Sequence, residues 1–276
     1  MILMSVLTDF LMNFIRKWLR IMDGKNKVAF VTGGGTGIGQ GISIELAKAG
    51  YDVAFSYCGS VEGAKKTETE IRKYGVESFS VKADVSKTED IKTMFAEVVN
   101  KFSRLDVFVN NAGITEKSDF MHTSPELFDR ICSVDYKGAF FCIQNAAKVM
   151  IDKEIKGSII LISSNNAIAH FADVAVYASA KAAAEKMSRH AAIELAKYGI
   201  RVNSIEPGWT QTGASRLDNK EDTYYKIPLK KWATVEEIGK TAVFLASDAA
   251  ASITGTSILM DNGACLVSDK RERYGF

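Results

Sequence analysis

From residue 28 onward the chain alternates two patterns. Runs that are apolar at nearly every position, residues 28–32, 52–57, 78–83, 105–110, 158–163, 201–206 and 256–260, read as buried strands. The stretches between them, 38–48, 61–74, 88–102, 124–151, 173–198 and 235–247, repeat their apolar residues every three or four positions and read as helices. Strands apolar on both faces and separated by helices predict a mostly parallel sheet covered on both sides. This is an α/β, doubly wound fold, in which ligands sit beyond the strand C-termini. Punctuation agrees with the pattern. Gly50 follows the first helix, Pro125 opens the 124–151 helix, and Ser86 with Glu89 has capping-box spacing ahead of 88–102.

Residues 1–22 follow a different pattern. Met4, Leu7, Leu11, Phe14, Ile15 and Trp18 line one side of a predicted amphipathic helix, and Ser5, Asp9, Asn13, Arg16 and Arg20 line the other. Arg16 and Lys17 come after the apolar stretch and Asp9 interrupts it, the reverse of a signal peptide. The polar face also denies a membrane span of roughly 20 apolar residues. Three readings stand: a helix docked on its own domain or on a partner subunit, a helix lying on a membrane surface, or an extension ahead of a true start at Met22. Docking is the preferred one.

Composition narrows the function. Residues 23–276 read as one domain, because three prolines and 21 glycines with no Ser/Pro/Gly-rich run leave no linker. Lys and Arg (35) against Asp and Glu (33) give a net charge of +2, too weak a field to gather nucleic acid. Cys58, Cys132, Cys142 and Cys265 show neither CxxC nor Cys/His clustering, so neither a metal site nor a disulfide framework is expected. A reducing cytoplasm is the expected location.

Candidate chemistry collects at the strand ends. Thr32-Gly33-Gly34-Gly35-Thr36-Gly37-Ile38-Gly39 joins the first strand to its helix, where glycines let the backbone approach a pyrophosphate and a helix N-terminus offers free N–H donors. Asp84-Val85 follows the third strand and Asn110-Asn111-Ala112-Gly113 the fourth. Ser164 follows the fifth, and Tyr177 and Lys181 lie one helical turn apart on the next helix. An ammonium beside a phenol favours the phenolate, so Tyr177 could exchange a proton near neutral pH. Singly, each piece is common: a glycine cluster is also a flexible turn, and a Tyr/Lys pair is also a solvated helix face.

The order and spacing of these motifs, with Tyr177-Ala178-Ser179-Ala180-Lys181 and Pro207-Gly208 ahead of Thr212, resemble the short-chain dehydrogenase/reductase family over residues 27 to about 267. The resemblance implies a single Rossmann-type domain that passes a hydride between a nicotinamide cofactor and a secondary alcohol or ketone. A non-catalytic redox sensor on the same fold is the alternative of another class. It further implies Tyr177 as general acid/base, Ser164 orienting the substrate oxygen, and Lys181 binding the nicotinamide ribose and lowering the Tyr177 pKa. Gly33, Gly35, Thr36, Gly37, Ile38 and Gly39 would hold the pyrophosphate, and Asp84 and Val85 the adenine. Asn111, Ala112 and Gly113 would sit by the adenosine ribose, and Pro207, Gly208, Thr210 and Thr212 by the nicotinamide.

Two departures from the family pattern stand out. Asp135, in Ser133-Val134-Asp135-Tyr136-Lys137-Gly138, occupies the usual position of an Asn, and is expected to serve as a fourth catalytic residue through its backbone carbonyl. Tyr57 ends the second strand, where an acid would select NAD and a base NADP. No base at Thr36, Ser56, Tyr57 or Cys58 can neutralise a 2′-phosphate, so the balance leans to NAD(H), with NADP(H) the alternative.

The family places a substrate lid at 208–234, here carrying Trp209, Leu217, Tyr224, Tyr225, Ile227 and Trp232. With Ile168 and Phe171 these imply a small-molecule substrate that is bulky and apolar, a hydroxysteroid first, with a glucose-type sugar or a 3-oxoacyl group as alternatives. Lys220, Lys226, Lys230 and Lys231 are candidate contacts for an anionic substrate or simply solvated. The family also implies a homotetramer joined through the 124–151 and 173–198 helices, the latter bearing small Ala178, Ala180 and Ala182–Ala184.

Overall fold

The computed structural model of the chain describes residues 24–213 and 227–266. Seven parallel strands form one sheet: β1 (Val28–Val31), β2 (Asp52–Tyr57), β3 (Ser78–Lys82), β4 (Val107–Asn110), β5 (Ser158–Ile162), β6 (Arg201–Pro207) and, after two short strands described below, β9 (Ser257–Met260). Their order is β3-β2-β1-β4-β5-β6-β9. The chain grows outward from β1 to β3, then returns to build β4 onward on the other side. The crevice of a doubly wound sheet opens at that reversal, between β1 and β4.

Alternation along each strand explains the two helical layers. Ala29 and Val31 of β1 face one layer with Ile42 and Leu46 of α1 (Gly37–Lys48), Ile71 of α2 (Val61–Arg72) and Ile238 of α7 (Val235–Ala246). Phe30, between them, faces the other layer, with Met94 and Phe95 of α3 (Thr88–Phe102) and Ile143 and Met150 of α5 (Ala139–Asp152). Phe30 meets the Phe95 ring edge-on at 5.1 Å and the Phe108 ring tilted at 5.7 Å. Burying each such ring is worth roughly 1.5–3 kcal/mol, so both faces of the sheet are anchored. Asp106 ties the sheet centre, accepting from Val28 N–H at 2.8 Å and from Arg104.

Two sequence expectations are corrected. The predicted 124–151 helix is three pieces: α4 (Pro125–Cys132), one π-helical turn over Ser133–Gly138, and α5. Its start is as expected, with Ser124 accepting the Leu127 N–H at 3.3 Å and Pro125 at the first helical position. The break has a local cause. Gly138 packs so closely on β3's exit that a Cβ would lie 2.6 Å from the Val85 carbonyl oxygen, and Asp135 turns inward to the Ile114 N–H. One widened turn meets both demands. The Ser86/Glu89 capping box does not form, because the Ser86 N–H and hydroxyl both donate to Asp84 Oδ1 and Lys87, which makes no side-chain cap, stands at the N-cap position of α3. A capping box instead opens α7, between Thr234 and Glu237.

The remaining long helix, α6 (Ala175–Leu195), is followed by a 3-10 turn at Ala196–Tyr198. A bridge between Ser118 and Val174 ties the loop after β4 to the start of α6. The two described ends of the lid meet in a small parallel ribbon, β7 (Thr210–Gln211) with β8 (Ala233–Thr234). Ile227 and Trp232 are buried against the domain, and Lys231 pairs with Glu237 at 2.5 Å. Residues 1–22, for which the sequence predicts a helix, and Leu217, Lys220, Tyr224, Tyr225 and Lys226 lie outside the described residues. Among the described residues no helix is long and apolar enough to cross a membrane.

Candidate active site

A groove of about 600 Å³ runs along the strand C-termini from the end of β2 to α6. Its phosphate end is built from backbone. Gly33 and Gly37 adopt φ of +68° and +56°, which β-carbon residues rarely take, and a Cβ on Gly39 would lie 2.3 Å from the Gly33 carbonyl oxygen. These glycines bring the loop over the N-terminus of α1, where Thr36 makes no side-chain cap and the first turn holds no acid. Its free N–H groups and positive dipole end therefore face the groove. The Asn111 amide braces this loop, donating to the Thr32 carbonyl at 2.9 Å and the Gly33 carbonyl at 3.3 Å. The Asn111 and Ala112 N–H groups both reach Thr32 Oγ1 at 3.0 Å.

At the adenine end, Tyr57, Cys58, Gly59 and Ser60 form one wall, and Asp84 and Val85 the other. Burial alone would raise the Asp84 carboxyl, but hydrogen bonds from Ser86 and the nearby Lys87 outweigh it and hold it below its ordinary value. Open space, uncapped N–H donors at the α1 N-terminus and two walls at β2 and β3 fit a dinucleotide. The ribose wall at β2 offers neither an acid nor a base.

The far end carries the side-chain chemistry. Tyr177 is half-buried in the first turn of α6, and Lys181 one turn later is 5% exposed, with Nζ 5.7 Å from the Tyr177 ring centroid. Nζ donates to the Ile162 carbonyl at 3.2 Å and lies 3.1 Å from Asp135 Oδ1, at an angle outside hydrogen-bond geometry. Asp135 is 1% exposed, and its Oδ2 accepts the Ile114 N–H at 3.1 Å. Desolvation pushes the Asp135 carboxyl up, against the pull of Lys181 and the Ile114 N–H. For Lys181 burial acts downward, but Tyr177 and Asp135 outweigh it and its ammonium is held above its ordinary value. Ser164, buried at the end of β5, accepts from the Asn166 N–H at 3.2 Å and from Asn166 Nδ2 at 3.1 Å. Such a set holds a fixed ammonium beside a phenol, the arrangement needed to move a proton to or from a bound oxygen.

Gly33, Gly35, Thr36, Gly37, Ile38, Tyr57, Asp84, Val85, Asn111, Ala112, Gly113, Asp135, Tyr177, Lys181 and Thr212 all line the groove. Gly39 packs against the Gly33 carbonyl without lining the groove, and Ser164, Pro207, Gly208 and Thr210 do not line it either, Thr210 donating to the Gly208 carbonyl at 3.0 Å. The Asn111 side chain is engaged with the glycine loop, not with the groove. Sequence reasoning missed Ile114, whose N–H holds Asp135, and Ile162, whose carbonyl holds Lys181. Both act through the backbone, so no side-chain type announces them. Among the described residues no cluster of three or more His, Cys, Asp or Glu is placed to hold a metal ion.

Known proteins resemble this chain over most of its length. A family model described as enoyl-(acyl carrier protein) reductase matches residues 33–265. The 3-oxoacyl-(acyl-carrier-protein) reductase of Staphylococcus epidermidis is 39% identical over 86% of this chain and 98% of its own length. The L-rhamnose 1-dehydrogenase (NAD(P)(+)) of a Sphingomonas species is 34% identical over 89% of this chain and 98% of its own. The solved structure of acetoin dehydrogenase from Salmonella typhimurium superposes with a TM-score of 0.83 at 30% identity, covering 88% of this chain and 98% of that one.

Proposed function

Since the chain belongs to the short-chain dehydrogenase/reductase family and is an NAD(P)-dependent oxidoreductase, we propose that it interconverts a secondary alcohol and its ketone with Tyr177 as the proton-transferring group. The observation that carries this reading is the buried, carbonyl-anchored Lys181 one turn from Tyr177, at the open end of a dinucleotide-shaped groove. Glycine-loop N–H groups and the α1 N-terminus bind the pyrophosphate, and Lys181 the nicotinamide ribose. A bound nicotinamide supplies or accepts the hydride. Ser164, fixed by Asn166, orients the substrate oxygen, and Tyr177 gives that oxygen a proton in reduction or takes one in oxidation.

For the substrate, the relatives named above favour a 3-oxoacyl group or a sugar and lend a hydroxysteroid no support. The rim beside Ser164 favours an apolar chain: Phe171 packs edge-on against Trp209 at 5.6 Å, and Ile168 is 50% exposed. A 3-oxoacyl thioester is therefore the first choice and an aldose the second. For the cofactor, a ribose wall without acid or base supports NAD(H) ahead of NADP(H), by a modest margin. Homotetramer formation through α4, α5 and α6 is supported by Phe128, Phe140 and Ile193, which stand 51%, 40% and 76% exposed on those helices. Turnover of 3-oxoacyl thioesters, aldoses and steroid ketones with NADH and NADPH tests the assignment. Turnover of none of them overturns the substrate reading, and failure to bind either cofactor overturns the enzymatic one.

A further inference from the structure

The Asp135–Lys181 pair goes beyond what the Ser164, Tyr177 and Lys181 set requires. Asp135 Oδ1 is buried and receives no hydrogen bond, with Lys181 Nζ at 3.1 Å, while Oδ2 takes the Ile114 N–H, so among the described residues Lys181 is the one opposite charge paired with this carboxylate. The pair is sealed from above by Gly113, where a Cβ would lie 2.6 Å from Asp135 Oδ1 and 3.0 Å from Lys181 Nζ. The π turn delivers Asp135 inward between exposed Tyr136 and Lys137 and half-buried Val134. Lys181 thus stands between two groups that its charge can serve, a carboxylate in contact and a phenol one turn away.

We propose that Asp135 is a positioning residue whose carboxylate takes a share of the Lys181 charge that would otherwise favour the Tyr177 phenolate, so that residue 135 sets the pH at which alcohol oxidation begins. This rests on the proton-transfer role given to Tyr177 above. Oxidation needs the phenolate, which takes the hydroxyl proton as the hydride leaves the carbinol carbon, and reduction needs the phenol. An anion bound to Lys181 makes the local field nearly neutral and delays the phenolate, whereas an amide there leaves the ammonium uncompensated.

The other charged groups around this helix do not duplicate the effect. Cys132, at the end of α4, is pushed up by burial and by Asp129 and Asp135, so it stays a neutral thiol. Glu185, one turn beyond Lys181, pairs with Arg189 and receives the Ser257 hydroxyl at 3.0 Å. Glu206 on β6 is pushed up by burial and by Glu185 beside it, so its proton is tied to that carboxyl. From β5 the neighbours are the neutral Ile162 carbonyl and Ser164.

The test uses Asp135→Asn, which keeps an oxygen for the Ile114 N–H, and Asp135→Ser, which also removes the charge, each with and without Tyr177→Phe. The first readout needs no cofactor: near-ultraviolet difference titration isolates the phenolate absorbance that disappears with Tyr177→Phe. The second is the acid limb of alcohol oxidation. Both should move to lower pH by roughly half a unit or more in the Asp135 variants. An unmoved phenolate titration and an unmoved limb, in a variant that folds and binds NADH, overturn the proposal and leave Asp135 acting through its backbone. A Tyr177→Phe protein that still turns over overturns the underlying reading instead, so the two failures are distinct.

Discussion

The two ends of the groove are built on different physics. At the glycine-loop end, Tyr57, Cys58, Gly59, Ser60 and Asp84 are exposed or half-buried, the wall at β2 is uncharged, and N–H groups of the glycine loop and α1 would meet a phosphate. At the reaction end two opposite charges, Lys181 and Asp135, are buried to 5% and 1% exposure. Two further buried carboxyls, Glu185 and Glu206, lie farther along, and exposed Arg189 reaches in to pair with Glu185. Backbone donors bind without a desolvated charge and tolerate exchange of nearby side chains. Buried charges impose a desolvation cost that only their partners offset, so each of them holds its partner in place.

The largest expected effects lie at the reaction end. Tyr177→Phe keeps the ring over Lys181 but removes the transferable proton, so turnover should fall about a hundredfold or more with NADH affinity nearly unchanged by fluorescence titration. Near wild-type turnover would break the contrast, since both ends would then merely bind. Lys181→Met should act on the fold as well. It leaves Asp135 buried with only the Ile114 N–H, and losing one partner of a buried pair costs roughly 3–5 kcal/mol. Urea unfolding measures that loss directly, and the double change Lys181→Met with Asp135→Asn should recover part of it.

How much of this was visible in the chain follows the same division. The seven strands, the glycine loop and the Tyr177/Lys181 turn were legible because periodicity and side-chain type carry them. The π turn was not, since a single widened turn shifts the apolar phase by about one residue within an otherwise helical stretch. The role of the Asp135 side chain was not legible either. Its partners are Lys181 on another helix and a backbone N–H at Ile114, contacts that only the sheet's crossover brings together. Cofactor preference lies between these cases. The absence of a charged side chain at Tyr57 was plain in the sequence, and in the structure the adjoining Ser56, Cys58, Gly59 and Ser60 supply none. Tyr57→Arg should accordingly raise the preference for NADPH by roughly tenfold, the worth of one charge-assisted hydrogen bond, and leave kcat with NADH little changed. A large kcat loss would show that the adenine end also positions the reaction.

The smallest effect concerns the carboxyls Glu185 and Glu206, and it reads stability rather than turnover. Burial first, and then the hydrogen bond and repulsion from Glu185, push the Glu206 carboxyl from an ordinary 4.5 up to about 7, against the pull of Ser257 and Arg189. The folded chain therefore keeps this proton over a range where the unfolded chain has released it. The stabilisation is complete below about pH 4.5 and is lost as pH rises through about 7. Glu206→Gln keeps a hydrogen-bonding group without the titration, so its melting temperature should exceed that of the native chain by a few degrees at about pH 8, the difference shrinking towards pH 5. If the two proteins melt in parallel across that range, Glu206 carries no shifted proton, and the buried charges of the reaction end reduce to the single pair of Lys181 and Asp135.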